Sequence, residues 1–372
     1  MLPVVFFTFR QRMFKHWIPP LLVYLLCGCS APKPVARVSG PDTQPWVTAT
    51  PAEVSMDGAL LQQAVATLPP PAEHGLHSML VVRHGKLAQE VYWNGYDQDA
   101  QQDLRSATKS ITALLVGIAI DKHIVKGVNE PLGTYLEAAY PHAPALAHGI
   151  TLEHLLTMRS GLACDDRDPT SPGQEDRMYR ERDWVRYFLE LPVAAPAGTA
   201  THYCTGGVVT LGRVVAEASK QPVPAFANEV LFGPLGISNA RWADFDAHRQ
   251  TDTGGHLALR PRDLAKIGQL VLQGGMWNGK QLVSRAWIEQ ATSEHTLIDK
   301  SRKSYGYLWW RALAPYQGRH VQIVYASGNG GQDVFVVPEL DLVAVFTGGN
   351  YNSPKAALPF QLMSKFVLPA AR

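Results

Sequence analysis

Arg105-Ser106-Ala107-Thr108-Lys109-Ser110-Ile111-Thr112-Ala113-Leu114-Leu115 is the stretch on which the reading of this chain turns. Ile111, Leu114, Leu115 and Ile118 are apolar at i, i+3, i+4 and i+7, a spacing that predicts a helix with one buried face. Positions three apart share a side of a helix. A helix beginning near Arg105 therefore presents the Ser106 hydroxyl and the Lys109 amine together. A serine hydroxyl is a weak nucleophile until a neighbour takes its proton. A lysine does so only when neutral, which requires burial or a nearby cation to lower its pKa from about 10.4. Alone, Ser-x-x-Lys decides nothing. Ser30-Ala31-Pro32-Lys33 repeats it where no helix forms, and a serine at a helix start also reads as an N-cap before a solvated lysine.

The flanking patterns give the architecture. Residues 56–68 read as a short helix, and residues 77–83 and 87–93 as β-runs around His84-Gly85-Lys86, a hairpin. Residues 132–235 read as mostly helical with long loops, among them the polar stretch 164–173. Tyr203-Cys204-Thr205-Gly206-Gly207 opens a helix there, and residues 264–272 form another that stops at Gly274-Gly275. Four β-runs follow at 305–311, 321–326, 334–337 and 342–347, and residues 358–367 close as a helix. Strands at both ends with helices between predict an α/β fold. Its single antiparallel sheet is drawn from both chain ends and flanked by helices, with a mostly helical insertion.

Composition fits that body. A hydrophobic share of 46% and a charged share of 18% allow a sizeable core. The net charge of +2, with no Lys/Arg-rich run, argues against a nucleic-acid partner. No metal-ligand spacing is present and no cofactor is expected. Arg10, Arg12, Lys15 and His16 precede an apolar run at 18–26 that is too short to span a bilayer. Pro, Ser, Thr and Ala dominate residues 31–54, a flexible tether. Cys164 and Cys204 remain for the body, either as a disulfide or as two buried thiols.

Four motifs then fall in order: Ser106-Ala107-Thr108-Lys109, residues 151–162, Tyr203-Cys204-Thr205, and Ala326-Ser327-Gly328-Asn329-Gly330-Gly331. Together they resemble the serine β-lactamase and penicillin-binding-protein superfamily, in particular its class C-like branch of esterases, D-amino-acid peptidases and 6-aminohexanoate-dimer hydrolases. The likeness covers roughly residues 78–350 and implies the β-lactamase/transpeptidase-like fold. By this resemblance Ser106 is the nucleophile, Lys109 its general base, and Tyr203 passes a proton to the leaving group. The backbone N–H groups of Ser106 and Asn329 would hold the oxyanion, and Ser327, Gly328, Asn329 and Thr205 would contact substrate. An acyl-enzyme forms and water cleaves it.

Two positions depart from the family pattern. Thr205 stands where Asn is usual, and Ala326 where a lysine or histidine would meet a penicillin carboxylate. An ester, amide or peptide-like small substrate is therefore expected. The alternatives are β-lactamase or D-Ala-D-Ala carboxypeptidase-type activity, or a non-catalytic cell-wall-binding relative. Leu26-Cys27-Gly28-Cys29-Ser30 resembles a bacterial lipobox, which implies a signal peptide over residues 1–29 and a lipid on Cys29. It also implies membrane attachment in the periplasm or at the outer membrane, a tether over 30–54 and a hydrolase domain over 55–372. Asp165 and Asp166 read as solvated loop acids. Of Trp309 and Trp310, at most one faces the pocket, because strand side chains alternate. A Ser-His-Asp reading through His202 lacks any Gly-x-Ser-x-Gly elbow.

Overall fold

The computed structural model describes residues 45–242, 245–298 and 303–372. The leader, with Cys29, lies outside the described residues. Eight strands build an antiparallel sheet: β1 (Leu76–Arg83), β2 (Lys86–Tyr92), β3 (Thr296–Ile298), β4 (Lys303–Tyr305), β5 (Trp310–Tyr316), β6 (Arg319–Gly328), β7 (Gln332–Val337) and β8 (Leu342–Gly348). Their spatial order is β2-β1-β8-β7-β6-β5-β4-β3, so the first strand pairs with the last. His84 and Gly85 take positive φ, 51° and 68°, the backbone that a two-residue hairpin turn needs.

The sheet is covered on both faces. Four helices matter here: α1 (Gly58–Ala66), α2 (Thr108–Asp121), α3 (Thr205–Ser219) and α4 (Pro261–Leu272). Val334 and Val343 share one face, and α4 packs on it with Gly268 against them. On the other face Phe335 meets Phe346 and Phe360 edge-on. The helical turns Met363–Val367 and Leu368–Ala370 pack against α1. The two ends of the body meet there. Met56 bridges to Ala371, Arg372 N–H donates to Ser55 O at 3.0 Å, and Arg83 Nη2 donates to Arg372 O at 2.8 Å.

Several expectations need correction. α2 is buried on every side from residue 108 to 119, not on one face. Its polar groups are absorbed by loop backbone: Ser110 Oγ donates to Leu308 O at 2.6 Å and Thr112 Oγ1 to Thr253 O at 2.7 Å. The β-run at 305–311 is two strands. Between them Leu308 has φ 59°, and Gly306 presses on the Ala291 carbonyl where a Cβ would overlap it. The tether ends earlier than residue 54. Leu87 N–H donates to Val47 O at 2.9 Å, Trp46 Nε1 to Arg262 O at 3.0 Å, and Val54 is buried. The helical region between 132 and 235 holds mostly short helices, α3 being its long one. A small sheet of Gln102–Asp103, Leu257–Leu259 and Arg241–Trp242 went unread in the sequence.

Candidate active site

Ser106 sits in a single 3-10 turn, Arg105–Ala107, that runs straight into α2. Arg105 before it has φ 48°, a conformation that costs a non-glycine residue about 1–3 kcal/mol unless its surroundings enforce it. They do: Arg105 N–H donates to Asp103 Oδ1 at 2.9 Å, and Asp103 Oδ2 lies 2.8 Å from His256 Nδ1. Burial raises the Asp103 carboxyl, but His256 and Arg105 outweigh it and hold it below the usual range. From the other side the end of β6 presses on this turn. A Cβ on Gly328 would overlap the Leu104 carbonyl and lie 3.0 Å from Ala107 N. Only glycine permits that approach.

Lys109 follows one turn later and is 1% exposed. Its Nζ donates to Ser106 Oγ at 3.1 Å and to Gly254 O at 2.6 Å. Burial alone would lower its pKa, but its electrostatic interactions with Tyr203, Glu175, Asp166 and Asp252 outweigh that and the net shift is upward. The resting lysine is thus an ammonium. The expectation of a lysine made neutral by burial is corrected here, because the fold buries carboxylates beside it.

Those carboxylates explain Thr205. Its hydroxyl lies 2.8 Å from both Asp166 Oδ2 and Glu175 Oε2, and its N–H donates to Asp166 Oδ2 at 2.7 Å. One hydroxyl has one proton, so bridging two carboxyl groups favours a protonated acid in the pair. Accordingly burial, with Glu175, pushes Asp166 up to about 7. Asp166 is therefore no solvated loop acid. Thr205 is fully buried behind the site and does not line the cleft, which corrects its expected contact with substrate. Burial also raises Asp252, which accepts from Tyr179 Oη at 2.8 Å.

Tyr203 is fixed from both neighbouring segments. Cys204 is disulfide-bonded to Cys164, and Asp166 N–H donates to Tyr203 O at 2.8 Å. The Tyr203 ring lies with its centroid 5.1 Å from Lys109 Nζ and stacks on Trp310 at 5.7 Å. Ser106, Tyr203, Ser327, Gly328 and Asn329 meet in one cleft of about 410 Å³, walled by Trp310, Tyr325 and Phe360. Trp309 faces the core. The Asn329 side chain pairs with Asn352 at 2.8 Å, and Asn329 lines the cleft just past the end of β6. His202 pairs with Asp165 at 3.1 Å, apart from the cleft lining.

Of the expected site residues, the fold brings Ser106, Lys109, Tyr203, Ser327, Gly328 and Asn329 together and sets Thr205 behind them. Asp252, Gly254, Glu175, Asp103 and His256 were not foreseen. Only the turn-rich Asp252-Thr253-Gly254-Gly255 carried a local signal, and that signal is for a loop.

A serine on a buried helix, with lysine and tyrosine converging on it in a cleft edged by a strand, defines a serine hydrolase. The Beta-lactamase family profile matches residues 59–362, and the chain belongs to that family. It is similar to 6-aminohexanoate-dimer hydrolase of Paenarthrobacter ureafaciens, 26% identical over 349 residues, 84% of this chain and 81% of that protein. Esterase EstB of Burkholderia gladioli is 25% identical over 190 residues, 46% of this chain and 47% of EstB. The penicillin-binding protein from Bacillus halodurans shares the fold at TM-score 0.62 and 16% identity, covering 82% of this chain and 98% of that one.

Proposed function

We propose that the chain cleaves an ester or amide bond through a covalent acyl-Ser106 intermediate. The observation that carries this is Lys109 Nζ at 3.1 Å from Ser106 Oγ, with the Tyr203 ring over the same ammonium. In the reactive form Lys109 keeps its charge and Tyr203 is the phenolate. Ser106 Oγ attacks the carbonyl carbon and its proton passes to the Tyr203 oxygen. The resulting oxyanion faces the N–H groups of Ser106 and Asn329. Breaking the bond to the leaving alcohol or amine returns the proton from Tyr203 to that group. Water then attacks the acyl carbon, gives its proton to Tyr203, and Ser106 leaves with a proton regained. General acid–base help of this kind supplies about 10²–10⁴-fold.

Ester and amide substrates fit better than penicillins, since Ala326 supplies no cation. The leader sequence, the lipobox-like Cys29 and the Cys164–Cys204 disulfide support export to an oxidising compartment with a lipid anchor. The test is intact mass and turnover with an activated short-chain ester and with a penicillin, wild type beside Ser106→Ala. Ester turnover or an acyl adduct that Ser106→Ala abolishes supports the reading. Equal activity in both proteins sinks it, and Ser106-dependent penicillin turnover would move the substrate to the β-lactams.

A further inference from the structure

Two residues beside the nucleophile and its lysine hold left-handed backbone, and one carboxylate touches both. Arg105, just before Ser106, has φ 48°. His256, two residues past the Gly254 carbonyl that accepts from Lys109, has φ 58°. Neither is glycine, so each conformation persists only where the surroundings enforce it. Asp103 reaches the pair. Its Oδ1 accepts from Arg105 N–H at 2.9 Å, and its Oδ2 lies 3.2 Å from Arg105 Nε and 2.8 Å from His256 Nδ1. Arg105 Nη1 lies 3.3 Å from His256 Nε2, which closes the triangle. The Asp103 and His256 side chains are largely buried, and neither lines the cleft.

The segment that ends in His256 is strapped along the helix that carries Lys109. Thr112 Oγ1 donates to Thr253 O at 2.7 Å, Leu257 N–H to Thr108 Oγ1 at 3.2 Å, and Leu104 N–H to Leu257 O at 2.9 Å. Those bonds fix where the segment lies along α2. Between them stand Gly254 and Gly255, which have no side chains to anchor the turn. Gly254 N–H donates to Asp252 Oδ1 at 3.0 Å, and the Tyr179 ring meets the His256 ring edge-on at 5.9 Å. Both contacts hold the turn from its far side. The His256–Asp103 contact holds it from the side of Ser106.

We propose that Asp103 and His256 are positioning residues that act as one clasp, joining the turn that carries Ser106 to the loop that carries the Lys109 acceptor and so setting the Oγ–Nζ separation. This rests on Ser106 and Lys109 acting in the same reaction.

The test is a double-mutant cycle read in kcat and KM with an activated short-chain ester. Asp103→Asn keeps the size of the side chain and removes its charge, and His256→Leu keeps bulk and removes the ring nitrogens. A small displacement of a nucleophile costs about 10²-fold. Each variant should therefore lower kcat by about that factor and leave KM unchanged, since neither residue touches substrate. Combined, they should cost about as much as either alone, because the same contact is lost in all three proteins. His256→Asn, which tolerates left-handed backbone and places an amide N–H near the Nδ1 position, should recover part of the loss. A fluorophosphonate should label Ser106 completely but slowly in each variant, which separates a displaced nucleophile from an unfolded one. If His256→Leu does not fold, His256→Gln takes its place in the cycle. Losses that multiply, a change confined to KM, or an unchanged kcat in either single variant would each overturn the proposal. Turnover that persists in Ser106→Ala would strike the nucleophile reading instead, while Ser106-dependent turnover with multiplying losses strikes only this one.

Discussion

Lys109 Nζ is nearer the Gly254 carbonyl oxygen, at 2.6 Å, than the Ser106 hydroxyl, at 3.1 Å. The ammonium is held from behind by a backbone dipole and by buried acids, so its position does not depend on substrate. Lys109→Met leaves those acids without their cation. Turnover of a short-chain ester should fall about 10²–10⁴-fold. The melting temperature should fall more at pH 8 than at pH 5, because without the ammonium the folded Asp166 and Asp252 carboxyls are raised further above their unfolded values, and that gap costs more stability as pH rises. An equal loss at both pH values would contradict the coupling.

Thr205→Val keeps the shape of the side chain and removes the proton that bridges Asp166 and Glu175. A buried acid left short of a donor costs about 1–3 kcal/mol. Chemical denaturation should show a loss in that range with an unchanged m-value, and Thr205→Ser should recover most of it. Full stability in Thr205→Val would mean that the hydroxyl does not serve the acid pair.

Asp333 gives a test by pH alone. Its folded carboxyl is pushed up to about 8 by burial, from an ordinary value of 3.8. Between those values the folded chain holds a proton that the unfolded chain has lost, so stability declines as pH rises. The decline is about 1.4 kcal/mol per pH unit for one proton. Asp333→Asn removes this contribution. Its stability advantage over wild type should widen from pH 5 to about pH 8 and then level off. A constant difference would show that Asp333 titrates normally.

Gly328→Ala drives a methyl group into the Leu104 carbonyl and so against the Ser106 turn. Overpacking of this kind costs about 1–3 kcal/mol. The larger expected effect is kinetic, since small displacements of a nucleophile cost about 10²-fold. A kcat reduced that far in a still-folded protein is the expected result. Unchanged kcat would mean the strand end does not position Ser106.

Replacing both Cys164 and Cys204 by Ser opens a loop of sequence separation 40. By chain entropy this costs about 4 kcal/mol. Thermal unfolding of the double variant should reflect that loss, and reducing wild type should reproduce it. Identical melting of oxidised and reduced wild type would count against the bond.

What the sequence disclosed followed the range of the interaction. Ser106 and Lys109 are three residues apart on one helix, so periodicity brings them together. Lys109 and Gly254 are 145 residues apart, and no local pattern reports that a loop carbonyl will cap that lysine. The periodicity reported one buried face of α2, because the carbonyls of Leu308 and Thr253 that absorb Ser110 and Thr112 on its other sides are not visible in sequence. The aromatic run at 305–311 has high β propensity throughout. Only the approach of Gly306 to the Ala291 carbonyl, a tertiary contact, breaks it into two strands. Asp166 was misread for the same reason: an acid in a polar loop looks solvated until the fold places Thr205 and Glu175 beside it.

The seam where Ser55 and Met56 meet Ala371 and Arg372 makes the body nearly a closed ring of chain. A linker from residue 372 to residue 45 would complete it and keep the Thr48–Leu87 bridge to β2. The ring could then be cut at Gln317-Gly318, the hairpin tip between β5 and β6, at the end of those strands away from Ser327 and Trp310. Start and finish of translation are thus separable from catalysis in this architecture.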